Sequence, residues 1–211
     1  MRIGIIGSGS VGQTLGRGLA RLGHEVRIGT RDPAKLGAWQ RELGSSASVS
    51  STATCAEWAE AVVLAVHGSA VETVLQAAGP SHFAHKVVLD TCDPLDFGSG
   101  RPGLFVGTTD SLGERVQRRL PDAKVVKALN TVLADVMIQP ALSGGTPDMF
   151  MAGNDHDAKQ LVRSWLTAFG WPVIDLGDIQ NARWLEALSL LWVVYAHQTG
   201  KSHHAFALIG K

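Results

Sequence analysis

Residues 2–12 read Arg2-Ile3-Gly4-Ile5-Ile6-Gly7-Ser8-Gly9-Ser10-Val11-Gly12, and this stretch decides the fold. A short apolar run ends at Gly7, as expected of a strand buried on both faces. Val11, Leu15, Leu19 and Leu22 then fall on one side of a helix over 10–22. Between them Gly7, Gly9 and Gly12 complete G-x-G-x-x-G. Strand, glycine turn and helix in that order form the setting in which this motif holds a dinucleotide. Gly7 allows the tight turn, Gly9 lets the backbone approach a pyrophosphate, and Gly12 permits close packing. The helix N-terminus attracts the negative charge. Glycine turns without a ligand are the competing reading, and the position of the motif decides against it.

The alternation continues outward. Strands are expected at 25–29, 61–66, 86–90, 124–128, 148–152 and 172–175. Helices are expected from Asp32-Pro33 (Asp as N-cap, Pro at the first helical position) to about Leu43, and at 54–60, 69–78, 110–120, 131–138, 155–169 and 181–199. Ser45 to Ser51 reads as a Ser-rich turn. Residues 91–109, with Pro94, Gly98, Gly100, Pro102, Gly103 and Gly107, form a connection long enough to suggest a binding role or mobility. Such alternation predicts an α/β chain: a Rossmann-type, doubly wound, mostly parallel sheet with a small C-terminal helical extension. Ligands then bind at the carboxyl rim of the strands. One domain over 1–211 is expected, with about 180–211 as a helical dimerisation segment.

Composition narrows the function. The chain has 211 residues, of which 45% are hydrophobic and 18% charged, so a sizeable core is available. Nineteen Lys and Arg balance nineteen Asp and Glu, which disfavours a nucleic-acid partner. Cys55 and Cys92 have neither metal nor disulfide-framework spacing and read as free thiols of a reducing compartment. Leu185 to Ala196 carries Glu186 and falls short of the roughly 20 apolar residues that span a bilayer, so no membrane partner is expected. The chain opens directly on its first strand without a signal peptide, and a cytoplasmic location is expected.

The end of the second strand selects the dinucleotide. An Asp or Glu there would hold the ribose 2′-hydroxyl of NAD. Gly29-Thr30-Arg31 stands there instead. Arg31 can stack on adenine and fork onto a 2′-phosphate, Thr30 can donate a hydroxyl, and Lys35 adds a second charge. The competing reading is a solvated basic cluster at a helix start; in this context NADP(H) is favoured.

Beyond the loop and the Gly29-Thr30-Arg31 turn with Lys35, several passages follow in a telling order. They are the Val62 to Val66 strand, Lys86-Val87-Val88-Leu89-Asp90 with Asp93-Pro94-Leu95, Val125-Val126-Lys127-Ala128-Leu129-Asn130-Thr131, Phe150-Met151-Ala152-Gly153-Asn154-Asp155, and Asn181-Ala182-Arg183-Trp184-Leu185-Glu186. Together they resemble the F420-dependent NADP oxidoreductase family, which includes archaeal NADPH:F420 reductases and the oxidoreductase domain of STEAP metalloreductases. The resemblance implies a compact Rossmann domain, usually a homodimer, that passes hydride between NADP(H) and a small-molecule acceptor, coenzyme F420 or a flavin. It places Ser8, Gly9, Ser10 and Val11 at the pyrophosphate and Thr30, Arg31 and Lys35 at the 2′-phosphate. Val66, His67 and Val71 then line the path to the nicotinamide, and Asn130, Thr131 and Ala134 lie near the second ligand. Two positions depart from the family pattern. His67-Gly68 stands where Pro, commonly followed by an aromatic, is usual. Asp93-Pro94 stands where Asn-Pro is usual. Both are expected near the nicotinamide rim.

Hydride transfer between planar carriers needs ring stacking and exclusion of water more than a general acid, so no catalytic group is assigned beyond His67 as a candidate. His67 can equally be a rim histidine bonded to a loop, and Asn130-Thr131 a turn cap. His197, His203 and His204 lack metal-ligand spacing and read as a surface or interface cluster. Trp165 belongs to a helix core, whereas Trp184 and Trp192 suit core or dimer contacts. The apolar tail Ala205 to Ile209 needs its own core or a second subunit to cover it. The alternatives are an NADPH-dependent reductase of a small carbonyl or imine, and a non-catalytic NADP(H) sensor.

Overall fold

The computed structural model describes residues 1–210. In chain order the elements are β1 (Arg2–Ile6), α1 (Ser10–Arg21), β2 (Glu25–Gly29), α2 (Gly37–Leu43), β3 (Ala47–Ser50), α3 (Thr52–Trp58), β4 (Ala61–Leu64), α4 (Val71–Ala78) and β5 (Val87–Asp90). A two-residue ribbon, β6 (Leu95–Asp96) with β7 (Gly103–Leu104), follows, and then α5 (Leu112–Arg119), β8 (Lys124–Lys127), β9 (Met149–Gly153), α6 (His156–Phe169), β10 (Val173–Asp175) and α7 (Ala182–Thr199). Eight strands form one sheet in the order β10-β9-β8-β5-β4-β1-β2-β3. Every neighbouring pair is parallel except β8 with β9. The sheet is therefore mostly parallel, with its last two strands reversed.

Strand periodicity builds the two layers. Ile3, Ile5, Ala61, Val63, Leu89 and Val126 face a core made with α1, α2 and α6, including Leu15, Leu19, Trp39, Val162, Trp165 and Leu166. The intervening Ile6, Val62, Leu64, Val88 and Val125 face the opposite core, made with α3, α4 and α5, including Ala56, Leu75, Leu112 and Val116. This is why the strands read as unbroken apolar runs. Within α6, Ala158, Val162, Trp165, Leu166 and Phe169 are buried and Leu161 packs beside them, after an N-cap in which Asp155 Oδ1 accepts from Ala158 N at 2.8 Å.

Three local expectations are corrected. Ser45 to Ser51 is not only a turn: Ala47–Ser50 pairs with β2 as an edge strand, Val26 opposite Ala47 and Ile28 opposite Val49. The serines hide an alternation whose apolar members, Ala47 and Val49, reach the core. No α-helix forms over 131–138. That segment takes successive tight turns, with Val136 N, Met137 N and Gln139 N donating three residues back at 3.1, 3.3 and 3.2 Å. Leu129 enters it at φ 62, and Thr131, Val132, Val136 and Ile138 are β-branched residues ahead of Pro140. Asp32 does not cap its helix through its side chain. Pro33–Leu36 is a single 3₁₀ turn, and the Asp32 carboxylate pairs with Lys35 at 3.2 Å.

The tail beyond α7 folds back on the chain's own sheet. Asp148 N donates to Phe206 O at 2.9 Å, Leu208 N donates to Asp148 Oδ2 at 2.7 Å, and Ala205 joins the first core. Leu208 and Ile209 stay exposed. Among the described residues no helix is long and apolar enough to cross a membrane.

Candidate functional site

The chain leaves β1 through Gly7, whose φ is +127; a Cβ there would lie 2.0 Å from Ala65 O, so both the turn and the approach to the end of β4 require glycine. Gly12 meets the same loop from the helix side, where a Cβ would lie 2.1 Å from Gly7 O. At Gly9 an added Cβ would have nothing within 4 Å. The loop is thus packed at its two ends and open in the middle, over the first turn of α1. The backbone N–H groups of that turn have no intrahelical partners, which suits an anion.

Thr30, just past β2, ties the two loops together. Its Oγ1 donates to Ser8 Oγ at 3.0 Å and accepts from Asp32 N at 3.1 Å. Arg31 is exposed beside it, and no ion pair of Arg31 occurs among the described residues. A cleft of about 490 Å³ opens here, lined by Gly7, Ser8 and Gly9, by Thr30 and Arg31, and by Val66 and His67. Seven sequence-named residues from three strand ends therefore share one cavity. Ser10, Val11 and Gly12 form the first turn of α1 beside it. Lys35 is not in its wall; its side chain is 75% exposed and is held by Asp32. Val71 is 1% exposed and packs inside the second core, so it does not face the cleft. His67 is exposed, its Nδ1 2.9 Å from Ser69 Oγ. The sequence reading missed Thr52, Ala70, Thr73, Val74 and Ala77, which complete the wall together with Ile6, Gly29 and Ala65. Thr73 and Ala77 stand four residues apart on α4, a helical spacing that offered a signal. Thr52 follows the unrecognised β3.

A second polar cluster lies where the carboxyl ends of β5 and β8 meet α7. Lys127 is fully buried, its Nζ 3.1 Å from Asp90 Oδ2 and 3.0 Å from Glu186 Oε1, and it also donates to Cys92 O. Burial alone would push this lysine down; the carboxylates of Asp90, Glu186 and Asp93 outweigh it and hold it above its ordinary value. Glu186 in turn accepts from Leu112 N and Gly113 N, each at 2.9 Å, closing the N-terminus of α5. Asn130 Nδ2 donates to Asp93 Oδ1 at 2.9 Å and to Leu185 O at 3.0 Å. The passages 127–131 and 182–186, far apart in sequence, are thus one buried junction. Thr131 is buried and Ala134 half-buried in the turns that follow.

The two departures from the family pattern also meet. A Cβ on Gly68 would lie 1.9 Å from Asp93 O, so the backbone at Asp93 occupies the space that a side chain at 68 would take. Both thiols are free and buried, and burial raises Cys55 to about 11 and Cys92 well above its ordinary value. His203 pairs with Asp135 at 2.9 Å, while His204 stacks on Trp192 at 4.6 Å.

The family profile described as "NADP oxidoreductase coenzyme F420-dependent" matches residues 2–94. A crystal structure of a proposed F420-dependent NADP-reductase from Arthrobacter sp. FB24 superposes with a TM-score of 0.93 at 42% identity, covering 99% of each chain. The F420-dependent NADP reductase of Methanothermobacter marburgensis is 29% identical over 92% of this chain and 91% of its own length. Rat metalloreductase STEAP3 is 25% identical over 90% of this chain, which spans only 36% of that protein. On the full-length likeness to the Arthrobacter protein and the profile match across the glycine loop, the chain belongs to the F420-dependent NADP oxidoreductase family.

Proposed function

We propose that the protein is an NADP-dependent oxidoreductase that transfers hydride between NADP(H) and a deazaflavin, coenzyme F420, or a flavin. The observation that carries this reading is the cleft in which the open glycine loop faces Thr30 and Arg31, with no carboxylate at the end of β2. The residues fit the dinucleotide. Gly9 leaves room for the pyrophosphate over α1, the Thr30–Ser8 bridge fixes both loops, and Arg31 supplies a planar cation for a 2′-phosphate. Val66, His67 and Ala70 continue the cleft along the carboxyl end of β4, where the nicotinamide would be held. The bound carriers supply the redox chemistry: NADPH, the oxidised acceptor and one proton give NADP⁺ and the two-electron-reduced acceptor. The protein's own part is to hold the rings together and to keep water out.

The same reading assigns 1–211 to one domain working in the cytoplasm. It also assigns a second copy of the chain as partner, seated on α7, where Trp184, Leu191, Val194 and Tyr195 are exposed.

The test is steady-state oxidation of NADPH with purified F420, run beside NADH and beside FMN. Reduction of F420 or FMN that uses NADPH and not NADH is expected. The Arg31→Glu variant should weaken NADPH binding at least about 10-fold, since a charge-assisted hydrogen bond is worth about 1.5–3 kcal/mol, and should weaken NADH binding, which lacks the 2′-phosphate, by less. Unaltered NADPH affinity in that variant would remove Arg31 from the site.

A further inference from the structure

The amide of Asn130 is held in one orientation. Both of its protons are used, on Asp93 Oδ1 at 2.9 Å and on Leu185 O at 3.0 Å. Neither a carboxylate nor a backbone carbonyl can donate, so this end of the amide must be nitrogen. The other end, Oδ1, is buried without a partner, in a residue only 6% exposed. A buried acceptor left unmatched is costly, and native structures keep few of them. The place of this one matters: Asn130 follows β8 at the carboxyl rim, beside Asp93 from the end of β5, whose backbone touches the Gly68 turn leaving β4. That turn adjoins His67 and Val66 in the cleft wall.

Given the acceptor chemistry proposed above, we propose that Asn130 Oδ1 accepts a hydrogen bond from an amide-type N–H of a bound substrate ring, and that Asp93 is the positioning residue that presents it. Two ligands carry such an N–H: the imide of a flavin or deazaflavin ring and the carboxamide of nicotinamide. Asp93 acts through Asn130. Its Oδ1 holds the amide, and its Oδ2 accepts from Ser189 Oγ on α7 at 2.8 Å. Were Asp93 an amide, its bond to Asn130 Nδ2 would be neutral at every pH, and only the carbonyl of Leu185 would still fix the orientation of the Asn130 amide.

The charged and titratable groups around Asp93 are Lys127 from β8, Glu186 from α7, and Asp90 and Cys92 from its own strand end. His67, on the β4 side, is turned to Ser69. Burial is the largest influence on Asp93 and pushes its carboxyl up to about 7, against the pull of Lys127. As pH falls through that value the carboxylate gains a proton, and its bond to Asn130 Nδ2 changes from charge-assisted to neutral.

The test uses the whole chain with Asp93→Asn and Ser189→Ala. Wild-type kcat/KM for the acceptor should fall on the acid side of about pH 7. Asp93→Asn should flatten that limb and raise the acceptor KM about 5-fold, the equivalent of one hydrogen bond near 1 kcal/mol. Ser189→Ala keeps the Asp93–Asn130 bond and should retain the acid limb. Calorimetry separates the two N–H sources. Weaker binding of F420 or FMN to the NADP⁺-loaded variant assigns the imide; weaker binding of NADPH alone assigns the carboxamide. Unchanged binding of both, with an unchanged pH profile, overturns the proposal. A wild-type protein that binds NADPH but reduces neither acceptor refutes the functional reading instead. The inference is then decided by NMR of the Asn130 side-chain amide: a shift on addition of NADPH supports it, and no shift overturns it.

Discussion

Asp93 is the residue at which folding and function are most tightly linked. In an unfolded chain an aspartate titrates near 3.9, whereas here burial raises the carboxyl to about 7. Between about pH 4 and pH 7 the native state therefore holds a proton that the unfolded state has released. Stability from this group is complete below about pH 4 and is lost as pH rises through 7. Urea unfolding of wild type and Asp93→Asn at pH 4.5 and pH 8 should show a gap that shifts in the variant's favour at the higher pH. A gap independent of pH would contradict this. The sequence reading named Asn130 and marked Asp93 only as a departure, for a physical reason. A carboxyl's ionisation is set by what packs on it, and the hydroxyl that grips Asp93 lies 96 residues further along the chain. The residues of the glycine loop were legible because their duty is local: the turn at Gly7 and the contact with Gly12 involve the same few residues.

At the scale of elements, the junction of β8, α5 and α7 rests on one buried lysine. Glu186 pairs with Lys127 and accepts two backbone N–H groups from the start of α5. Removing it leaves a buried cation short of a partner and two donors unmatched. Glu186→Ala should cost about 3–5 kcal/mol, the usual cost of breaking a buried pair; chemical denaturation gives the number. A loss below about 1 kcal/mol, within the usual range for an exposed pair, would show that the pair is solvated. Elsewhere the strands β1, β4 and β5 and the long helix α6 were readable from periodicity, since each is apolar in the right rhythm. Two pieces were not. β3 carries its alternation in small residues, Ala47 to Ser50, and only its pairing with β2 makes it a strand. Residues 131–138 have helical apolar spacing, yet tertiary burial of Asn130, Thr131 and Val132 holds them in turns. Periodicity reports a face to be covered, and the backbone that covers it is chosen by the neighbours.

Over the whole molecule, large apolar side chains are exposed at Met1 and Leu22, at Phe97 and Phe105 around the small ribbon, and on α7 and the tail. Trp184 is 56% exposed and Leu191 55%, with Val194, Tyr195, Leu208 and Ile209 also exposed. A dimer through α7 is expected in light scattering at micromolar concentration, and Leu191→Asp with Trp184→Glu should shift it to monomer without loss of the folded circular-dichroism spectrum. A wild-type monomer at that concentration would refute this.

The ends of the sheet bear on the same question from another side. β10 is three residues long, and Arg163 Nη1 donates to Val173 O at 2.8 Å, occupying a main-chain carbonyl on that border. β3 at the opposite border is four residues long and rich in serine. Short, capped or polar borders make poor templates for another chain's strand. The borders of the sheet thus offer little to a strand of another molecule, the pairing by which sheets grow from chain to chain into fibrils.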